Sequence, residues 1–311
     1  NFVPFQALVD DQGSFLCEKF KVLNISASRD LLLAKDSLSG SKKVSIFANP
    51  LFNLEVSKQS NLLALGSLNI TTLRNLGFLP LDGTQKEAQS IREIVSNHQL
   101  LVDLKTGADA SEHNLKKVSS PRILHLATHG FFISGGNQGG KDPFSFLSRQ
   151  SNKGGGYNPM HRSGLALAGA KNTLRSLKDD RYSDPQNDGI LTAEEASKLD
   201  LSNTWLTVLS ACDTGSGVAR TGEGVLGLRR AFAMAGTQNL LLTLWHVSDS
   251  FTKDFMVSFY EEALESGNAP KAMAKVQKEW LVKLREERSI SQAVKLAGPF
   301  VLTFRGNPEL N

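Results

Sequence analysis

Cysteine is scarce: the 311 residues include two, Cys17 and Cys212. That count excludes a disulfide framework, and a reducing cytoplasm is the expected compartment. No apolar run approaches the roughly 20 residues of a membrane-spanning helix, and no basic-then-apolar leader opens the chain. A membrane is therefore not an expected partner. Neither charge sign dominates: 35 Lys and Arg stand against 31 Asp and Glu, for a formal net charge of +4. The small surplus is spread along the chain, so nucleic acid is at most an indirect partner. No fixed-period repeat recurs, which excludes a solenoid. What is present is ordinary for a globular protein, 40% hydrophobic and 21% charged, with length for one large domain or two modest ones. The first residue is Asn rather than Met, which reads as a portion of something longer.

The apolar pattern predicts alternating strands and helices over most of the length. Short apolar runs at 5–9, 15–20 and 22–25, broken by Asp10-Asp11-Gln12-Gly13, predict a small β-rich lead-in over residues 1–43. A main body over 44–311 follows. Strands are expected at 44–48, 100–104, 122–128, 239–246 and 300–304, and helices at 84–98, 111–118, 224–235, 250–264 and 269–286. Thr84 with Glu87 three residues on reads as a helix cap. This alternation predicts an α/β fold with a mostly parallel sheet and helices on both faces. Residues 134–162, rich in Gly, Ser and Asn, predict a long flexible loop of functional character.

Two of the strand-like runs carry chemistry at their ends. Ile123-Leu124-His125-Leu126-Ala127-Thr128 stops at His129-Gly130, and Leu206-Thr207-Val208-Leu209-Ser210-Ala211 stops at Cys212. Open α/β sheets hold their sites at the carboxyl ends of strands, and an imidazole beside a thiol is the pairing of a nucleophilic cysteine hydrolase. Gly130 is expected to turn tightly and, with Cys212, to present a backbone N–H to an oxyanion. His125 and His129 share a strand face, as a metal pair or as core histidines. A zinc site is disfavoured because a strand separates i and i+4 and no Glu adjoins His125. Gly135 to Lys141 mimics a phosphate-binding loop but is followed by Asp142 rather than Ser or Thr. Asp184 to Glu195 mimics a calcium loop without a clear entering helix. No metal and no cofactor is implied.

The sequence resembles the CHAT domain, a caspase-like module often fused to tetratricopeptide repeats in bacteria. The resemblance is carried by His125-Leu126-Ala127-Thr128-His129-Gly130, Ser163-Gly164-Leu165-Ala166-Leu167-Ala168, Asp188-Gly189-Ile190-Leu191-Thr192-Ala193-Glu194-Glu195 and Leu209-Ser210-Ala211-Cys212-Asp213-Thr214-Gly215. Gly222-Glu223-Gly224-Val225-Leu226-Gly227-Leu228 and Leu244-Trp245-His246-Val247-Ser248-Asp249 continue it. It implies a caspase-like fold and a cysteine endopeptidase with a His129–Cys212 dyad. The implied partners are a protein substrate and an upstream repeat domain or activator, in a cytoplasmic bacterial defence or signalling system. For a basic residue before the cut, Asp249 is the first candidate pocket acid, by likeness to the Trp-x-Val-x-Asp segment of separases. Asp213 and Glu223 follow. The competing role for Asp249 is a helix N-cap. Metacaspase-like enzymes carry an acid where this chain has Ser210. The alternative reading is a catalytically silent CHAT-fold interaction module.

Overall fold

The computed structural model describes residues 3–25, 28–32, 41–54, 78–132, 160, 163–176, 187–210 and 223–306. Among them, alternating apolar residues build a sheet buried on both faces. Ile46, Ile123, Val208 and Leu241 point into one core. Their chain neighbours Phe47, Leu124, Leu209 and Leu240 point into the other, as the two-residue period of a strand requires.

The strands are β1 (Asn24–Ile25), β2 (Lys43–Pro50), β3 (Leu101–Gly107), β4 (Ile123–Ala127), β5 (His129–Phe132), β6 (Ser163–Ala166), β7 (Ile190–Thr192), β8 (Leu206–Leu209), β9 (Asn239–Thr243) and β10 (Phe300–Phe304). Seven of them form one sheet in the order β1-β10-β9-β8-β4-β2-β3. The run from β9 to β3 is parallel throughout. β10 runs antiparallel to β9, and β1 lies parallel to β10. The fold is thus the mixed α/β architecture the alternation predicts. The chain steps from β2 outward to β3, then returns to β4 on the opposite side of β2. That reversal opens a crevice at the carboxyl ends of β2 and β4, the usual place for a site.

The helices are α1 (Leu16–Lys19), α2 (Asp82–Asn97), α3 (Glu112–Lys116), α4 (Ala170–Ser176), α5 (Ala193–Ala196), α6 (Glu223–Ala235), α7 (Asp249–Ser266), α8 (Ala269–Glu287) and α9 (Ile290–Ala297). Ala88 and Ile91 of α2, Phe255 and Phe259 of α7 and Met273 of α8 fill the first core. Leu115 of α3, Ala196 of α5 and Phe232 of α6 fill the second. Helices thereby cover both sheet faces. Phe255 stacks on Phe300 with ring centroids 3.9 Å apart, tying α7 to β10.

Some elements differ from expectation. In the lead-in, residues 5–7 and 16–19 are helical, while Val9 bridges Phe15 across the Asp10–Gly13 turn and β1 begins at Asn24. The Glu18 carboxylate explains the short α1: it accepts the Phe15 N–H and pairs with Arg285 of α8. Thr84 is not a cap. Helix α2 starts at Asp82, and the Thr84 hydroxyl donates to Leu81 O and accepts from Asn49 N–H. A second, antiparallel sheet, β5-β6-β7, lacks a clear sequence signal, because its strands are three or four residues long. Of the expected loop at 134–162, only Met160 lies within the described residues.

Candidate active site

β4 and β8 are neighbours, with Leu126 registered on Leu209 and the Ser210 N–H continuing the ladder to Leu126 O at 2.9 Å. His129 and Cys212 each stand three residues beyond that registered pair. Cys212 and Asp213 lie outside the described residues. Glu223 opens α6, with its side chain also outside them.

The Thr128 hydroxyl donates to Ala166 O, which diverts the chain from the large sheet into the small one. His129 is the first residue of β5, opposite Ala166. Its imidazole is 3% exposed and packs against Phe52 and Phe78, with ring centroids at 5.2 and 5.7 Å. Nε2 lies 2.8 Å from Leu79 O. A carbonyl only accepts, so Nε2 carries the proton and the lone pair of the neutral ring sits on Nδ1. Burial pushes the His129 pKa below 6.5. The Leu79 carbonyl and the Asp249 charge push it back up, and His246 adds to the lowering. Leu79 precedes Pro80, which restricts its backbone to extended geometry and so aims its carbonyl.

Asp249 is the first residue of α7, and Ser248 holds the N-cap position, so Asp249 is not the cap. Its carboxylate lies on the first turn of α2. A Cβ on Gly83 would stand 2.2 Å from Asp249 Oδ2 and 2.3 Å from Asp249 Cβ, so only glycine admits this approach. The acid is thereby close enough to act electrostatically on His129. Gly130 is not in a turn: it pairs opposite Leu165 within β5, and the bend is at Thr128.

His125 belongs to a different constellation. It is fully buried, with Nδ1 at 3.0 Å from the Tyr260 hydroxyl of α7 and Nε2 at 3.3 Å from Glu87 Oε1 of α2. The Ser210 hydroxyl donates to Glu87 Oε2 at 3.1 Å. Glu87 therefore faces the sheet instead of closing a cap at Thr84. The acids of the calcium-like segment are also committed. Asp188 accepts the Ile190 N–H, and Glu195 closes a capping box on Thr192 and pairs with Lys116. Among the described residues no group of three or more His, Cys, Asp or Glu could hold a metal ion, and no helix is long and apolar enough to cross a membrane.

Of the residues the sequence singled out, His129 and Asp249 come within electrostatic reach of each other. Sequence reasoning missed the Leu79 carbonyl, the Phe52 and Phe78 walls, and the placement of Glu87 against Ser210 and His125. A backbone acceptor and an aromatic contact have no sequence pattern. Glu87 could have been found only as a carboxylate on the apolar face of α2, one residue before Ala88.

The CHAT domain family model matches residues 1–295. Tetratricopeptide repeat protein 28 of Mus musculus is 23% identical over 288 residues, covering 89% of this chain and 11% of that protein. Its Homo sapiens counterpart is 23% identical over 283 residues, covering 89% of this chain and 10% of that protein. The chain thus spans about a tenth of the curated relatives it matches. With nearly its whole length matched, and with the parallel sheet and strand-end histidine described above, the chain belongs to the CHAT domain family.

Proposed function

We propose that this chain is a caspase-like cysteine endopeptidase acting through Cys212 and His129. The observation that carries the reading is the register of β4 on β8, which sets the two strand ends side by side. Cys212 Sγ, having given its proton to His129 Nδ1, attacks the scissile carbonyl carbon. The C–N bond then breaks as the imidazolium returns that proton to the leaving amine, forming a thioester. Water, deprotonated by the same nitrogen, hydrolyses the thioester and restores the thiol. The Leu79 carbonyl holds the ring in the tautomer this requires. The Gly130 and Cys212 N–H groups stabilise the oxyanion.

Asp249 is the proposed acid for a basic residue before the cut, since it sits within electrostatic reach of His129. Asp213 and Glu223 are secondary candidates. The substrate is a protein, and the tetratricopeptide repeats for which the relatives are named make an upstream repeat domain the natural regulator. A bacterial defence or signalling setting remains part of this proposal. So does gating by the 134–162 segment, where Lys141, Arg149, Lys153 and Arg162 offer self-cleavage points.

The test is a peptide panel varied at the residue before the cut, with intact-mass analysis of wild type and Cys212→Ala. Cleavage after Arg or Lys that vanishes in Cys212→Ala and falls at least tenfold in Asp249→Asn supports the proposal; about tenfold corresponds to the 1.4 kcal/mol of one charge-assisted contact. Wild type that cuts nothing and resists an electrophilic peptide would leave the silent interaction module.

A further inference from the structure

Glu87 is 2% exposed, yet it lies on α2 among apolar neighbours that face the first core. A buried carboxylate costs stability unless it is closely partnered, and an apolar residue of similar size would serve packing better. Its partners come from three other elements. Ser210, at the end of β8, donates to Oε2; His125 of β4 faces Oε1; Tyr260 of α7 holds the far side of His125. One assignment gives each gap a single proton: the Tyr260 O–H donates to His125 Nδ1, Nε2–H faces Glu87 Oε1, and the Ser210 O–H donates to Oε2. Burial and the Glu87 charge both push the Tyr260 pKa well above its ordinary value, which keeps the phenol a donor. The Glu87–His125 contact at 3.3 Å lacks hydrogen-bond alignment among the described residues. Ser210 is therefore the aligned partner of the carboxylate. Ser210 is also the last residue of the β8 ladder, two positions before Cys212.

We propose that Glu87 is a positioning residue for Cys212: with His125 between it and Tyr260, its carboxylate anchors the Ser210 hydroxyl and thereby fixes the end of β8 two residues before the thiol. The inference rests on the reading of Cys212 as the nucleophile. It assigns a function to a buried polar chain that packing alone does not require. It also gives Ser210 a role: the neighbouring helix supplies the carboxylate, and the strand end supplies the hydroxyl that meets it.

The experiment is a double-mutant cycle on the full chain, reading the rate at which iodoacetamide modifies Cys212, site-resolved by mass spectrometry. The Cys17 thiol, raised to about 11 by burial, serves as the slow internal reference. Ser210→Ala and Glu87→Gln are each expected to slow Cys212 modification roughly tenfold, and the double variant no further, as for two groups acting through one link. Effects that multiply in the double variant would mean that the two side chains act independently, and that result or an unchanged rate in Ser210→Ala would overturn the proposal. If Glu87→Gln does not fold, Tyr260→Phe replaces it: its slowing must vanish in the Ser210→Ala background, and persistence there refutes the link. Peptide cleavage is read in parallel. Coupled modification rates without cleavage would sink the endopeptidase reading and leave the positioning role standing. Cleavage with uncoupled rates would do the reverse.

Discussion

His129 is buried at the start of β5 against two aromatic rings, and that environment sets its protonation. An imidazole walled by Phe52 and Phe78 resists protonation, so its pKa lies below 6.5. By NMR titration the His129 ring should stay neutral to a more acidic pH than an exposed histidine. Asp249→Asn should lower its pKa further, because the lost charge favours the imidazolium. A midpoint at or above 6.5, or an upward move in Asp249→Asn, contradicts this. The linkage has the matching sign. A depressed folded-state pKa contributes stability that is complete above pH 6.5 and is lost as pH falls through the folded value. Replacing His129 with Gln should flatten that acid-side loss in urea unfolding.

At the scale of elements, the segment from Asp188 to Glu195 shows how a motif becomes a joint. Gly189 has φ +79°, and a Cβ there would stand 2.5 Å from Ala170 N and 2.6 Å from Ala168 O. Gly189→Ala should therefore cost about 1–3 kcal/mol in urea unfolding, from crowding and a left-handed backbone. The Gly189 N–H donates to Glu112 of α3, while the Asp188 carboxylate caps Ile190. Burial pushes both carboxyl pKa values up into the neutral range; the Glu112 charge adds to the rise at Asp188, and the Glu195 charge adds to both. For acids with raised folded-state pKa values, the contribution is complete below the ordinary values of 4.5 and 3.8. It is lost as pH rises through neutrality. The urea midpoint should thus fall between about pH 4.5 and about pH 8, and fall less in Asp188→Asn, which keeps an oxygen for Ile190 N–H. Equal slopes for the two proteins would refute the assignment. The antiparallel sheet that this joint supports contains His129 itself.

Across the whole molecule, two cores grip one sheet, and the contact between α7 and β10 is dense. Phe255→Ala removes a ring stacked 3.9 Å from Phe300 and should cost about 3–5 kcal/mol, read from the denaturant midpoint. A loss under 1 kcal/mol would mean that α7 repacks freely. Much of this architecture was legible in the amino-acid order. Strands such as Phe300–Phe304 and Asn239–Thr243 are apolar runs of strand length, and α8 carries its period from Ala269. These are local properties, set by side-chain alternation and burial. The proposed pairing of His129 with Cys212 comes from the sequence as well, where two apolar runs end at reactive side chains. Which neighbours complete the crevice was decided by the tertiary structure alone. The Leu79 carbonyl reaches a histidine 50 positions away, and Glu87 reaches Ser210 across 123. No local periodicity encodes such contacts. They exist because β4 pairs with β8 and α2 packs across them, and pairing energy is shared among many residues rather than written at any one.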